Sequence, residues 1–204
     1  MRIGLDIMGG DYAPEKTIEG AILANSRLNK DDKLVLIGPR YIVRENLARK
    51  KANPDDFIIE HAPEVIEMHD HPAKAFSKKT KSGIAIGYKL LSKGIIDGFA
   101  SAGNTGAIFV GAMSTIKSIP GILRPAIAAC YPTLNGKSNL ILDVGLNPDC
   151  KPDVLYQFGV LGSIYYHFVN KVDSPKVGLL NIGKEEGKGN LETKSAYELM
   201  KDNK

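Results

Sequence analysis

Short apolar runs of strand length alternate along this chain with segments whose apolar residues recur every three or four positions. Residues 2–7, RIGLDI, read as a buried strand, followed by the loop MGGDYA. Pro14 stands at the first helical position, and Ile18, Ala21, Ile22 and Leu28 form one face of the helix behind it. KLVLIG (33–38) is the next strand, YIVRENLARK a helix, and FIIEHA (57–62) a third strand. IAIGYKLLSKG (84–94) is helical, with Ile84, Tyr88 and Leu91 in register, and IIDGFA (95–100) is a strand.

GAIFVGAMSTI (106–116) predicts a helix apolar on nearly every side, hence buried. AIAACYP and SNLILDV are close enough in sequence to pair as strands. Asp149 and Pro152 open a helix whose face is Val154, Phe158, Leu161, Tyr165 and Phe168. KVGLLNI (176–182) reads as another strand and LETKSAYELMK as a last helix. The alternation predicts an α/β fold, a three-layer α/β/α arrangement with a largely parallel sheet covered on both faces. Neither an internal repeat nor a linker interrupts residues 1–204, so a single α/β domain is expected.

Composition narrows the class. Apolar residues make up 43% of the 204 and charged residues 25%, the balance of a soluble globular domain, which argues against disordered and fibrous classes. The net charge of +4 is interleaved, and the one dense basic patch, Ala73 to Lys81, lacks the aromatic residues that stack nucleic-acid bases. A small anion or an acidic partner suits it better, and no nucleic acid is expected. Two cysteines, Cys130 and Cys150, form no disulfide framework and no CxxC pair, so a reducing, cytoplasmic setting is expected. No signal-peptide pattern opens the chain, and no apolar run approaches the roughly 20 residues that span a bilayer.

Four loops at predicted strand-to-helix junctions share one chemistry: DIMGGDYAP, SAGNTGA, VGLNPD and GKEEGKGN. Each couples Gly with Asn, Asp or Lys. Gly lets a ligand approach the backbone, and the helix start supplies free N–H groups and a positive dipole end. In a parallel sheet such loops gather beyond the carboxyl ends of the strands, a fitting place for a phosphate-like anion. Each loop also has a plain structural use, as a tight turn or as a helix cap by Asn104, Thr105 or Asp149. The GxxxxGK[ST] loop, the GxGxxG dinucleotide fingerprint, GxSxG and HExxH are absent. His69 and His71 beside Pro72 read as loop histidines rather than metal ligands, and His167 as structural. With no nucleophile or metal in evidence, the loops suit positioning and charge stabilisation, and no cofactor is expected.

LDIMGGDYAP, SAGNTGA, RPAIA, LILDVGLNPDCKP, FGVLGSIYY and VGLLNIGKEEGKGN, in this order apart from the overlap of neighbours, resemble the bacterial phosphate acyltransferase family of phospholipid synthesis. The resemblance covers nearly the whole chain. It implies a fold like that of isopropylmalate dehydrogenases and phosphotransacetylases. The implied activity makes acyl phosphate from acyl-[acyl-carrier protein] and inorganic phosphate. It also implies a homodimer in the cytoplasm, associated peripherally with membrane, and a further C-terminal part beyond the stretch matched here.

Carried onto this sequence, the resemblance implies Lys188, Asn104 and Asn190 as catalytic residues. Gly9, Gly10, Asp11, Ser101, Gly103, Thr105, Gly106, Asp143, Asn147, Asn181 and Gly183 would bind substrate. The basic segment Lys74 to Lys81 would meet the carrier protein or phosphate. The sequence departs from the family at Tyr12, where many members carry His, at Ser82-Gly83, where two serines are usual, and at Leu146 and Pro148. The alternatives are a phosphotransacetylase-like enzyme using acyl-CoA and an inactive phosphate-binding fragment.

Overall fold

The computed structural model describes residues 1–203, and the chain divides into two compact units, Met1–Lys117 and the part from Ser118 onward. The strands are β1 (Arg2–Asp6), β2 (Lys33–Gly38), β3 (Ile58–His61), β4 (Gly98–Ala100), β5 (Ala128–Pro132) and β6 (Ser138–Leu142). The helices are α1 (Glu15–Asn25), α2 (Arg40–Arg49), α3 (Pro72–Lys78), α4 (Gly83–Ser92), α5 (Thr105–Gly111), α6 (Pro152–Asn170) and α7 (Leu191–Met200).

In the first unit β1 to β4 form one parallel sheet in the order β3-β2-β1-β4. The run LVLI in β2 is buried throughout, as a strand covered on both faces must be. Successive side chains go to opposite faces. Leu34 and Leu36 join Ile18 and Ala21 of α1 and Val43 and Leu47 of α2. Val35 and Ile37 face the other way, onto Leu90 of α4 and Ile96. Helices therefore cover both faces, giving the expected three-layer α/β/α arrangement around a largely parallel sheet. Each fully buried Ile or Leu in these clusters contributes about 1.5–3 kcal/mol.

A third cluster joins Ala75 of α3, Ile84 and Tyr88 of α4 and Ala107 of α5 with Ile66. The basic stretch thus contains a helix, opened by Pro72 at its first turn. Tyr88 meets Phe99 edge to face, ring centres 5.3 Å apart. The helix expected at 106–116 is present, but its burial is not: Ala107 and Gly111 are buried while Met113 and Ile116 face outward. About 3.6 residues per turn put Met113 and Ile116 on the side away from Ala107 and Gly111, and the helix ends in a π-helical turn at Ala112–Ile116.

In the second unit β5 and β6 pair antiparallel, as their proximity predicts, and the turn between them holds Gly136 at φ 76°. Tyr166 of α6 donates its hydroxyl to the Ser138 carbonyl at 2.5 Å, tying the long helix to β6. Val154 and Phe158 on the predicted face of α6 are buried, whereas Phe168 at the far end is 74% exposed. Lys151, not Asp149, stands at the start of α6, and no side chain caps it.

The strand expected at 176–182 does not form. A strand needs a neighbouring ladder to satisfy its backbone, and this segment has none among the described residues. Leu180 and Ile182 are 81% and 86% exposed. No helix among the described residues is long and apolar enough to cross a membrane.

Candidate functional site

Two of the four expected loops meet in the first unit, beyond the carboxyl ends of β1 and β4. Asp6 ends β1 and is 4% exposed. Its Oδ2 accepts the Ser101 hydroxyl at 2.8 Å, and its Oδ1 accepts the Met8 N–H at 3.2 Å. Ser101 Oγ in turn accepts the Gly103 N–H at 3.1 Å. Burial pushes the Asp6 carboxyl above its ordinary range, and the bonds from Ser101 and Met8 oppose that shift.

Gly9 lies so close to the other loop that a Cβ on it would meet Gly103 N and Ser101 Oγ at 2.8 Å and Asp6 Oδ2 at 2.9 Å. Gly10 follows at φ 112°, a conformation that favours glycine, and its carbonyl accepts the Ala13 N–H at 3.2 Å. Asp11 next to it is exposed. The first and second loops are therefore in backbone contact, and small residues are what allow it.

Asn104 is 5% exposed, and its side chain is fully engaged. Oδ1 caps α5 by accepting the Ala107 N–H at 3.0 Å. Nδ2 donates to the carbonyls of Glu67, Met68 and Asp70 at 3.0–3.2 Å. Thr105 is exposed at the start of α5, and Gly106 packs against Pro72.

In the second unit Asp143 follows β6. Its Oδ1 accepts the Ile127 N–H at 2.7 Å. Its Oδ2 accepts the backbone N–H groups of Leu146 and Asn147 at 2.9 and 2.6 Å, and Asn147 Nδ2 at 3.1 Å. Burial would raise this carboxyl, but the amides around it outweigh burial and hold it below the usual range. Asn147 Nδ2 also reaches the Pro125 carbonyl at 2.9 Å, and Arg124 donates to the Asp149 carbonyl at 2.9 Å.

The last loop borders a cavity of about 790 Å3 within the same unit. Val160 and Ile164 of α6 give it an apolar wall, and Asn181, Gly183 and Lys188 a polar one. Asn181 Nδ2 donates to the Lys188 carbonyl at 2.9 Å, folding the loop back on itself. Asn190 caps α7, its Oδ1 accepting the Thr193 N–H at 2.8 Å. Among the described residues Lys188 forms no salt bridge. No group of three His, Cys, Asp or Glu with the spacing of a metal site occurs among them either.

The structure thus gathers Gly9, Gly10, Ser101 and Gly103 in the first unit, and Asn181, Gly183, Lys188 and Asn190 in the second. Asp6 was missed by sequence reasoning, and the cap supplied by Ser82 was not foreseen. Ser82 is completely buried and caps α4, accepting the Ala85 N–H at 3.3 Å. The available signal for Asp6 was an acidic residue inside an apolar strand, directly before a glycine loop.

Residues 1–204 match the family model described as fatty acid synthesis protein. Among curated relatives, a phosphate acyltransferase of Dictyoglomus turgidum is 45% identical over 203 residues, covering 100% of this chain and 60% of the relative. One of Salinibacter ruber is 45% identical over 202 residues, 98% of this chain and 60% of the relative. The chain therefore spans about 60% of the length of these relatives. Among solved structures, a phosphotransacetylase from Streptococcus pyogenes superposes with TM-score 0.69 at 17% identity, over 99% of this chain and 66% of that one. The EutD phosphotransacetylase from Staphylococcus aureus gives 0.65 at 15%, over 98% and 63%. At such identities the two structures speak for the fold alone. The match along the entire chain shows that this protein belongs to the fatty acid synthesis protein family.

Proposed function

We propose that the protein acts as a phosphate acyltransferase, forming acyl phosphate from acyl-[acyl-carrier protein] and inorganic phosphate. The observation that carries this reading is 45% identity, along the whole chain, to relatives named phosphate acyltransferase. In the reaction a phosphate oxygen attacks the thioester carbonyl, and the tetrahedral intermediate expels the carrier-protein thiolate. Phosphate is itself the nucleophile, so the protein contributes binding, orientation and stabilisation of the developing charge.

In this reading Gly9, Gly10 and Asp11 shape the first loop against the bound group. Asn104 and Thr105, with the amides around Gly103 and Gly106, hold phosphate. The contact between the glycine loop and Gly103 supports this part. Because the Asn104 side chain is committed to Ala107 and the 67–70 loop, its contribution comes through the backbone it orders. Lys188 neutralises charge in the transition state, with Asn190 and Asn147 orienting the reactants and Ser101, Asp143, Asn181 and Gly183 supporting their loops. Residues 1–204 would be the N-terminal portion of one α/β domain, acting as a homodimer in the cytoplasm with peripheral membrane contact.

A second reading is a phosphotransacetylase-like enzyme using acyl-CoA. Phosphate-dependent thiol release from acyl-[acyl-carrier protein] and from acyl-CoA separates the two. Turnover of the carrier-protein thioester alone supports the first reading, and preference for acyl-CoA supports the second. Phosphate binding without either turnover marks a phosphate-binding fragment.

A further inference from the structure

Asp6 is the buried carboxylate that the chemistry above leaves unused, and three stretches of backbone converge on it. One oxygen holds Ser101 at 2.8 Å and the other the Met8 amide at 3.2 Å. The carboxylate also lies against Gly83 at the start of α4, in the space that a Cβ there would need. Ser101 passes the connection on by accepting the Gly103 N–H at 3.1 Å. A single carboxylate, acting through a single hydroxyl, therefore sets the separation of the two loops.

An ionised carboxylate only accepts hydrogen bonds. Ser101 Oγ accepts the Gly103 N–H, which can only donate, and its own hydroxyl proton points inward to Asp6 Oδ2. An asparagine of the same size avoids most of the cost of burying a charge, but it can turn its NH2 toward Ser101, reverse that link and compete with the Gly103 N–H for the Ser101 oxygen. The carboxylate oxygen and the Gly103 N–H together fix the direction of the connection.

We propose that Asp6 is a positioning residue which, through Ser101, holds the Gly103–Gly106 backbone in the arrangement that receives phosphate. The proposal rests on the functional reading above. Pinning Gly103 N–H inward orients the loop so that the following amides, of Asn104, Thr105 and Gly106, are the ones presented to an anion.

Amide hydrogen exchange and phosphate titration, followed by NMR on the 204-residue chain, test it with Asp6→Asn and Ser101→Ala. The expected result is roughly tenfold faster exchange at Gly103 and Asn104 and roughly tenfold weaker phosphate binding in both variants, with exchange in β2 unchanged. Wild-type exchange at Gly103–Gly106 in folded Asp6→Asn, or in Ser101→Ala should Asp6→Asn not fold, overturns the proposal. Faster loop exchange with phosphate affinity intact also overturns it. Wild-type amides that ignore millimolar phosphate instead sink the phosphate reading of the loop. The positioning by Asp6 is then decided by the exchange comparison.

Discussion

The side-chain amide of Asn104 donates to the backbone carbonyl of Asp70 at 3.0 Å, across 34 residues of sequence. The same side chain caps α5 through Ala107, so one residue closes a loop and starts a helix. Asn104→Ala removes the cap and leaves three part-buried carbonyls without this donor, a loss of about 1–3 kcal/mol. Asn104→Asp keeps the cap but sets a carboxylate oxygen among carbonyls, and it should destabilise more than Ala. Urea unfolding of both variants gives the comparison. An Asn104→Ala chain as stable as wild type would mean that this cluster does not form.

Gly83 and Gly20 predict opposite signs for one substitution. A Cβ at Gly83 runs into the Asp6 carboxylate, so Gly83→Ala should cost about 1–3 kcal/mol. Gly20 in α1 has open space around it, and Gly20→Ala should stabilise by about 0.5–1 kcal/mol. Adding Asp6→Ala to Gly83→Ala relieves the clash, so the double variant should lose less than the two singles together. Thermal unfolding of these four variants and wild type is the check.

Asp143 should make stability acid-sensitive. The amides of Ile127, Leu146 and Asn147 hold its folded-state pKa below the ordinary 3.8. The stabilisation is therefore present above pH 3.8 and is lost as the pH falls through the lower folded value. Asp143→Asn should cost about 1–3 kcal/mol at pH 7 through weakened and mismatched bonds. The gap between variant and wild type should narrow in strongly acid solution. Denaturant melts at pH 7 and below pH 3 measure this, and a gap independent of pH would contradict the bonding described for Asp143.

Lys188→Met tests the functional reading at a side chain with no salt bridge among the described residues. Acyl phosphate formation should fall on the order of 100-fold, the usual effect of removing one group that stabilises transition-state charge. The melting temperature should stay within a few degrees of wild type. A Lys188→Met chain with full activity would remove Lys188 from the proposed machinery.

Much of the fold was legible beforehand. The unbroken LVLI of β2 announced a strand covered on both faces, and Ile84 and Tyr88 announced the buried side of α4. The pairing of β5 with β6 followed from their closeness in sequence. KVGLLNI has an equally good strand composition, yet it forms no ladder among the described residues. GAIFVGAMSTI is apolar on nearly every side, yet only the Ala107 and Gly111 side finds a packing partner, and Met113 and Ile116 face outward.

The candidate site divides along the same line. The composition of MGGD and SAGNTGA was enough to say that something approaches the backbone closely. It did not say that the closest approach is each loop to the other, with Gly9 against Gly103 and Ser101 between them and Asp6. Nor did it show that Asn104, a natural anion-binding residue by type, commits its amide to three carbonyls. Periodicity and turn chemistry are local, because they follow from backbone geometry that repeats every two or 3.6 residues. By itself, then, the sequence determined which segments could be strands and helices and where they could bend. The tertiary structure decided which hydrogen-bonding groups are already spent within the protein, since that depends on partners tens of residues away meeting within about 3 Å.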